Sequence, residues 1–428
     1  MMYSDSFKFI IKDFHENKGK SNVFYKREFD LPIDPKKITV LYGSRRCGKT
    51  FCLFNHINSL LKNGIKKTNI LYINFEDDRL SGLQINDLNS LLEAYYELYP
   101  ELIDKTVYFF FDEIQIIKEW ESFVRRLYDS IDCRIFITGS SAKLLSREIA
   151  TSLRGRCISY PLYPLNFREY LYFNKIELDK NLEFSKKRFK IKKLLGDYLE
   201  NGSFPEVALS QNKDQNEKIL KEYYDSLVYK DLADRFSLKN TVLLKDLLRY
   251  LFTNFTKEFS VNSYFKLLKN NMPISRETII EYLNCIEETS YIYLIPVFSY
   301  SLKVQKANPK KVIALDNGIR NKICFRFSED YGKLAENVVG LNLIKKYEDV
   351  FYYRGKSDVD YIVKDQKGDL HAVNVSYGDE ISQKEYDSLN RFAKEYKNVK
   401  NLILISREKE GKEGKIKIIP LLKWLLTN

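Results

Sequence analysis

The sequence predicts an α/β protein that opens with a parallel sheet of the P-loop nucleoside-triphosphatase class and continues into further domains. Three observations carry that prediction. The stretch Gly43-Ser44-Arg45-Arg46-Cys47-Gly48-Lys49-Thr50 fits G-x-x-x-x-G-K-[ST] and lies between an apolar run at residues 38–42 and a helix-compatible run at 51–62. Further apolar runs at residues 70–75, 107–111 and 134–138 end in acids or small hydroxyl residues, as strands buried on both faces do at a ligand crevice. Finally, 428 residues are too many for one ordinary core, so two to four domains are expected.

In the loop, Gly43 and Gly48 let the backbone curl so that successive N–H groups face inward, and the helix starting near Lys49 adds its positive end to that anion nest. The pattern assigns Lys49 to the β- and γ-phosphates of a nucleotide and the Thr50 hydroxyl to Mg²⁺. After the turn at Lys62-Asn63-Gly64, the second strand ends in Glu76, Asp77 and Asp78, one of which is expected to approach the nucleotide. The run Val107-Tyr108-Phe109-Phe110-Phe111 ends in Asp112-Glu113-Ile114-Gln115, a Walker B pattern. Asp112 is placed to hold Mg²⁺ and Glu113, one step beyond the strand, to polarise the attacking water. The next strand exits through Thr138-Gly139-Ser140-Ser141, where Ser140 or Ser141 is a sensor candidate for the γ-phosphate or the lytic water. Arg154 and Arg156 flank Gly155; each reads either as an arginine finger acting across a subunit boundary or as a surface cation paired with acids.

Composition narrows the rest. Seventy Lys and Arg against 58 Asp and Glu give a net charge of +12, which suits a polyanion and equally a solvated basic surface, because the charges are spread along the chain. The 31 Tyr and 28 Phe recur inside apolar runs, as core groups do. Six cysteines (47, 52, 133, 157, 285 and 324) form no C-x-x-C pair and the three histidines (15, 56 and 371) are far apart, so no metal site is legible. Cys47 reads as a small filler of the loop, with alkylation sensitivity as its alternative. No apolar run approaches the roughly 20 residues of a membrane span and the N-terminus has no secretory pattern, so the expectation is a cytoplasmic protein with reduced thiols.

Gly43 to Thr50, Phe111-Asp112-Glu113-Ile114-Gln115, Thr138-Gly139-Ser140-Ser141, Leu153-Arg154-Gly155-Arg156, Pro161-Leu162-Tyr163-Pro164-Leu165 and Asn201-Gly202-Ser203-Phe204-Pro205-Glu206 together resemble a prokaryotic family of AAA-type ATPases. The resemblance implies an ATPase core over 1–165, a helical lid over 166–238, a winged helix over 239–325 and a C-terminal restriction-endonuclease-like α/β domain over 326–428. It also implies ATP and Mg²⁺ as ligands, and allows a ring or a dimer.

The residues themselves fit that order. Residues 242–255 are amphipathic, 261–269 form a second short helix, and Ser275 caps a third, with Thr278 where a capping box has Glu or Gln. Strand-like runs at 291–300 and 312–315 follow, joined by Lys303, Lys306, Lys310 and Lys311, an order that resembles a winged helix. Glu277, Glu281, Glu287 and Glu288 make the third helix unsuited to phosphates, so the expectation is a structural or protein-contacting winged helix ahead of a DNA reader, with the basic wing the part left that could touch a DNA backbone. In the nuclease-like region Glu336 and Asp360 match a two-acid metal site, but Asn374 and Ser376 stand where the pattern has Glu and Lys. The domain is therefore expected to be inactive and to bind or scaffold, with Lys356 or Lys364 the positions from which a displaced lysine would rescue it.

The expected function is a Mg-ATP-hydrolysing multidomain switch acting on a macromolecular partner. Its alternatives are an ATP-dependent DNA-binding protein or nuclease, and a signal-sensing scaffold gated by nucleotide exchange.

Overall fold

The computed structural model describes residues 3–16, 25, 27–140, 153, 155–178, 187–210, 212–270, 272–324 and 330–427. The chain forms two compact units, Met1–Tyr163 and Pro164–Asn428.

The first unit is built on β1 (Ile38–Tyr42), β2 (Ile70–Asn74), β3 (Val107–Asp112), β4 (Cys133–Gly139) and β5 (Cys157–Pro161), all parallel in the order β2-β3-β4-β1-β5. The run 107–111 is apolar throughout because its alternate side chains enter two different cores. Phe109 and Phe111 join one packed face, while Tyr108 and Phe110 join the other, against α2 (Lys49–Lys62). The opposite layer holds α1 (Ser4–Glu16), α3 (Leu88–Leu98) and α4 (Trp120–Ser130), whose apolar faces bury Phe7, Leu91 and Phe123. α1 closes this layer through Phe7, Ile10 and Ile11, and its His15 meets the Tyr99 hydroxyl at 2.7 Å.

The second unit begins with helices at Phe167–Phe173, Lys187–Asn201, Pro205–Leu209 and Lys213–Ser226, the last running on through a π-helical stretch, Leu227–Asp234. Helices at Thr241–Thr253, Val261–Leu268 and Arg276–Glu288 follow, with the Ser275 side chain accepting from the Thr278 N–H as its cap. They adjoin a three-stranded antiparallel sheet, β6 (Glu258–Phe259), β8 (Lys310–Ala314) and β7 (Ile292–Ile295). The expected strand 291–300 is cut short at Pro296, which has no N–H for a ladder. Val297 instead bridges to Tyr352, and the Phe298 N–H donates to the Tyr352 carbonyl. The link from β7 to β8 contains a helix, Leu302–Ala307.

The chain ends in a six-stranded mixed sheet: β9 (Asp349–Arg354), β10 (Asp358–Lys364), β11 (Leu370–Ser376), β12 (Val399–Ser406), β13 (Gly411–Glu413) and β14 (Ile416–Pro420), ordered β13-β14-β12-β11-β10-β9. Helices at Tyr331–Lys346 and Gln383–Glu395 pack on it. Among the described residues, no helix is long and apolar enough to cross a membrane.

Candidate functional site

At the C-terminal end of β1 the chain turns through Gly43–Gly48 into α2. A Cβ on Gly43 would lie 2.1 Å from the Leu162 carbonyl oxygen, so only glycine fits there. Arg46 (φ 65°) and Gly48 (φ 101°) both take the left-handed conformation, which bends the loop back over the helix end. The buried Arg27 guanidinium, a contact that nothing in the sequence singles out, donates to the Cys47 and Tyr163 carbonyls at 2.9 and 2.8 Å and holds the loop from behind. Cys47 is fully buried, and burial raises its thiol above the usual value, which fits the filler reading. The Ser44 hydroxyl is buried without a hydrogen-bond partner. Arg45 reaches Glu76 at 2.6 Å, so the second-strand acid meets the loop through its cation; Asp77 instead caps Arg79.

Lys49 is buried, with its ammonium 3.3 and 3.2 Å from the Gly43 and Ser44 carbonyls and 3.2 Å from Glu113 Oε1. Burial works against its charge, but Glu113, Cys47 and Asp112 together outweigh it and the pKa is raised. Burial likewise opposes the Glu113 charge; the Lys49 ammonium, a 2.5 Å hydrogen bond from Gln115 Nε2 and the Arg45 charge prevail, and the carboxyl lies below its ordinary value. Glu113 is also held in the left-handed region (φ 54°), a costly conformation for a residue with a side chain and one that recurs at functional sites.

Asp112, on the last position of β3, is buried, and burial raises its carboxyl. The hydroxyls of Thr138, Thr50 and Tyr72 hydrogen-bond it and act in the opposite direction, with Tyr72 at 3.0 Å. Thr138 makes two bonds: its hydroxyl donates to Asp112 Oδ1 and accepts from the Glu113 N–H at 2.9 Å. Ser140, one residue past the end of β4, accepts from Gln115 Nε2 at 3.4 Å. Sequence reasoning missed Tyr72, Gln115 and Thr138. The signal for Thr138 was its register, since Phe111 pairs with Ile137 and the next positions are Asp112 and Thr138.

Lys49, Thr50, Asp112, Glu113 and Ser140 therefore converge at one end of the sheet. Arg156 does not join them: it precedes β5 at the opposite end and makes a two-point pair with Asp129 at 2.9 and 3.2 Å. Arg154 and Ser141 lie outside the described residues.

A second polar cluster lies on the C-terminal sheet. Glu336, from the helix Tyr331–Lys346, and Asp360, on β10, face one another, but the cation between them is Lys311 of β8, buried. Lys311 is thus not part of a basic wing; Lys303 and Lys306 remain exposed and Lys310 half-buried. Lys356 and Lys364, the positions suspected for a displaced lysine, are exposed. Among the described residues no group of three His, Cys, Asp or Glu side chains is arranged to hold a metal ion.

Residues 35–171 match a family model described as an AAA domain, and residues 192–330 and 331–424 match two domains of unknown function. An uncharacterized protein of Methanocaldococcus jannaschii, MJ1544, is 37% identical over 98% of this chain and 95% of its own length. An uncharacterized protein of Haemophilus influenzae is 30% identical over 92% of this chain and 95% of its own. Among solved structures, the Aeropyrum pernix ORC1 protein in complex with DNA covers 75% of this chain and 91% of its own at 10% identity and a TM-score of 0.33. DnaA from Aquifex aeolicus bound to AMPPCP covers 66% of this chain and 87% of its own at 17% identity and a TM-score of 0.24.

Proposed function

This chain belongs to the AAA-domain family that includes Methanocaldococcus jannaschii MJ1544, and from that membership we propose that it binds Mg-ATP, hydrolyses it, and uses the cycle to switch contacts with a macromolecular partner. The observation that supports this best is the Lys49–Glu113 ion pair, 3.2 Å across a phosphate-loop turn whose Ser44 hydroxyl is buried and unpaired. A buried ammonium at an anion nest is built to receive phosphate oxygens, and here a carboxylate holds its place.

Each side chain then has a task. Lys49 would pass from Glu113 to the β- and γ-phosphates, and the backbone N–H groups of Gly43–Lys49 would take the remaining oxygens. Thr50 and Asp112 would hold Mg²⁺, which supplies charge neutralisation at the phosphates. Release from Lys49 leaves Glu113 with a carboxylate oxygen to accept the proton of the attacking water as its oxygen bonds to the γ-phosphorus and the bond to the β-phosphate breaks. Thr138 fixes the relation of Glu113 to Asp112, and Ser140 senses the state through Gln115. A finger role for Arg156 requires a second copy and loss of the Asp129 pair; Arg154 is the other candidate.

A DNA-acting alternative rests on the net charge of +12 and on Lys303, Lys306 and Lys310. Filter binding to duplex DNA across a salt series separates the two, since phosphate contacts give a steep slope. For the main reading the test is nucleotide binding by fluorescence titration: Lys49→Ala abolishes or severely weakens it, and unchanged affinity would refute the site.

A further inference from the structure

The cluster on the C-terminal sheet resolves into an unusual arrangement around one ammonium. Lys311 Nζ lies 2.5 Å from Glu336 Oε1, 3.1 Å from the Asp360 carbonyl oxygen and 3.5 Å from Asp360 Oδ1, with the Tyr361 ring centroid 4.4 Å away. Two carboxylates and a carbonyl are the oxygen types that hard divalent ions take. Lys311 is itself only 5% exposed, so no water shell competes for its charge.

The neighbouring groups are arranged for a fixed cation. The second Asp360 oxygen, Oδ2, accepts from the Val375 N–H at 2.9 Å, so the carboxylate is oriented from behind. Asn374 Oδ1 accepts from the Asp360 N–H at 3.1 Å, while its Nδ2 donates to Glu385 Oε2 at 2.7 Å and to Ser388 Oγ at 2.9 Å. A carboxylate at 374 has no N–H to give Glu385 and would set a further negative charge beside it. The amide is the residue this packing requires.

We propose that Lys311 is the resident cation of this cluster: its ammonium fills the position among Glu336 and Asp360 where a divalent ion would bind, and so makes the C-terminal sheet a metal-independent module. Because β8 belongs to the three-stranded sheet and β10 to the six-stranded one, the same buried contact ties the two sheets together. Burial pushes Glu336 up to about 7, with the Asp360 charge adding to it and Lys311 and the Thr256 hydroxyl opposing.

The test uses nucleotide-free full-length protein and Mn²⁺ alone, with unbound Mn²⁺ read by electron paramagnetic resonance. The wild type is expected to show no Asp360-dependent site. Lys311→Met is expected to gain one Mn²⁺ per chain, with affinity raised at least about tenfold, and to lose it again in Lys311→Met/Asp360→Asn. A wild-type Mn²⁺ site that disappears in Asp360→Asn overturns the proposal, and so does a folded Lys311→Met that binds no more than wild type. Should Lys311→Met not fold, the wild-type melting temperature decides. It is expected to be the same in EDTA and in Mn²⁺, and a rise with Mn²⁺ that Asp360→Asn abolishes overturns the assignment.

Discussion

Thr138→Val isolates the contact that sets the relative placement of Asp112 and Glu113. Valine keeps the shape of threonine and removes the hydroxyl, which both donates to Asp112 and accepts from the Glu113 N–H in a fully buried setting. A hydrogen bond to a charged group contributes about 1.5–3 kcal/mol, and a buried N–H left without a partner costs about 1–3 kcal/mol. The two losses share neighbours and do not add in full, so a net destabilisation of about 3 kcal/mol is expected. For a unit of this size that lowers the melting temperature by roughly 10 °C. The strained Glu113 backbone also loses a restraint, and general-base catalysis is worth about 10²–10⁴-fold, so a loss of at least about tenfold in ATP turnover is expected. Thr138→Ser retains the hydroxyl and should recover turnover, at a cost of about 1 kcal/mol for the methyl group. Melting by scanning fluorimetry and phosphate release at saturating ATP read the two effects separately. A valine variant that melts lower but turns over ATP at the wild-type rate would show that Thr138 supports the fold and not Glu113. One unchanged in both would refute the hydrogen-bond geometry.

His56 is packed against Phe136 and Phe110, its Nε2 has no hydrogen-bond partner, and burial lowers its pKa to about 4 despite the opposing charge of Asp30. With the folded value below the unfolded one of about 6.5, stability is present above that value and is lost as pH falls towards 4, by up to roughly 3 kcal/mol; His56→Leu should flatten this slope in urea titrations at stepped pH. If Arg154 or Arg156 acts across a subunit boundary, ATPase activity per chain must rise with protein concentration and fall when an inactive arginine variant is mixed in; strictly linear activity without poisoning excludes a finger in trans. The C-terminal sheet should leave supercoiled plasmid intact in Mg²⁺ or Mn²⁺ with ATP, and nicking that disappears in Asp360→Ala would restore the nuclease reading.

What the sequence disclosed was local. The strand-loop-helix around Gly43 to Thr50 and the acids closing β3 are read from neighbouring residues, because the spacing of phosphate ligands constrains consecutive positions. The unbroken run 107–111 foretold a strand covered on both faces for the same reason. What stayed hidden depends on partners distant in the chain. Arg27 reaches Cys47 and Tyr163, Tyr72 and Thr138 meet at Asp112, and Lys311 finds Glu336 and Asp360, all through tertiary packing that no pattern of spacing encodes. Lys311 misled for a specific reason: lysines clustered between two strands read as a solvated wing, whereas strand alternation turns Lys310 outward and Lys311 into the acidic cluster.

The central claim is that Glu113 activates water at a site where Lys49 binds the phosphates, and Glu113→Gln tests it most directly. The amide keeps the size and the bond to Gln115 but cannot take a proton, and it no longer competes with phosphate for the Lys49 ammonium. Single-turnover assays with radiolabelled ATP should therefore show ATP bound at least as tightly as by wild type and retained, with ADP formation slowed by about a hundredfold or more. Hydrolysis by Glu113→Gln at the wild-type rate would contradict the account.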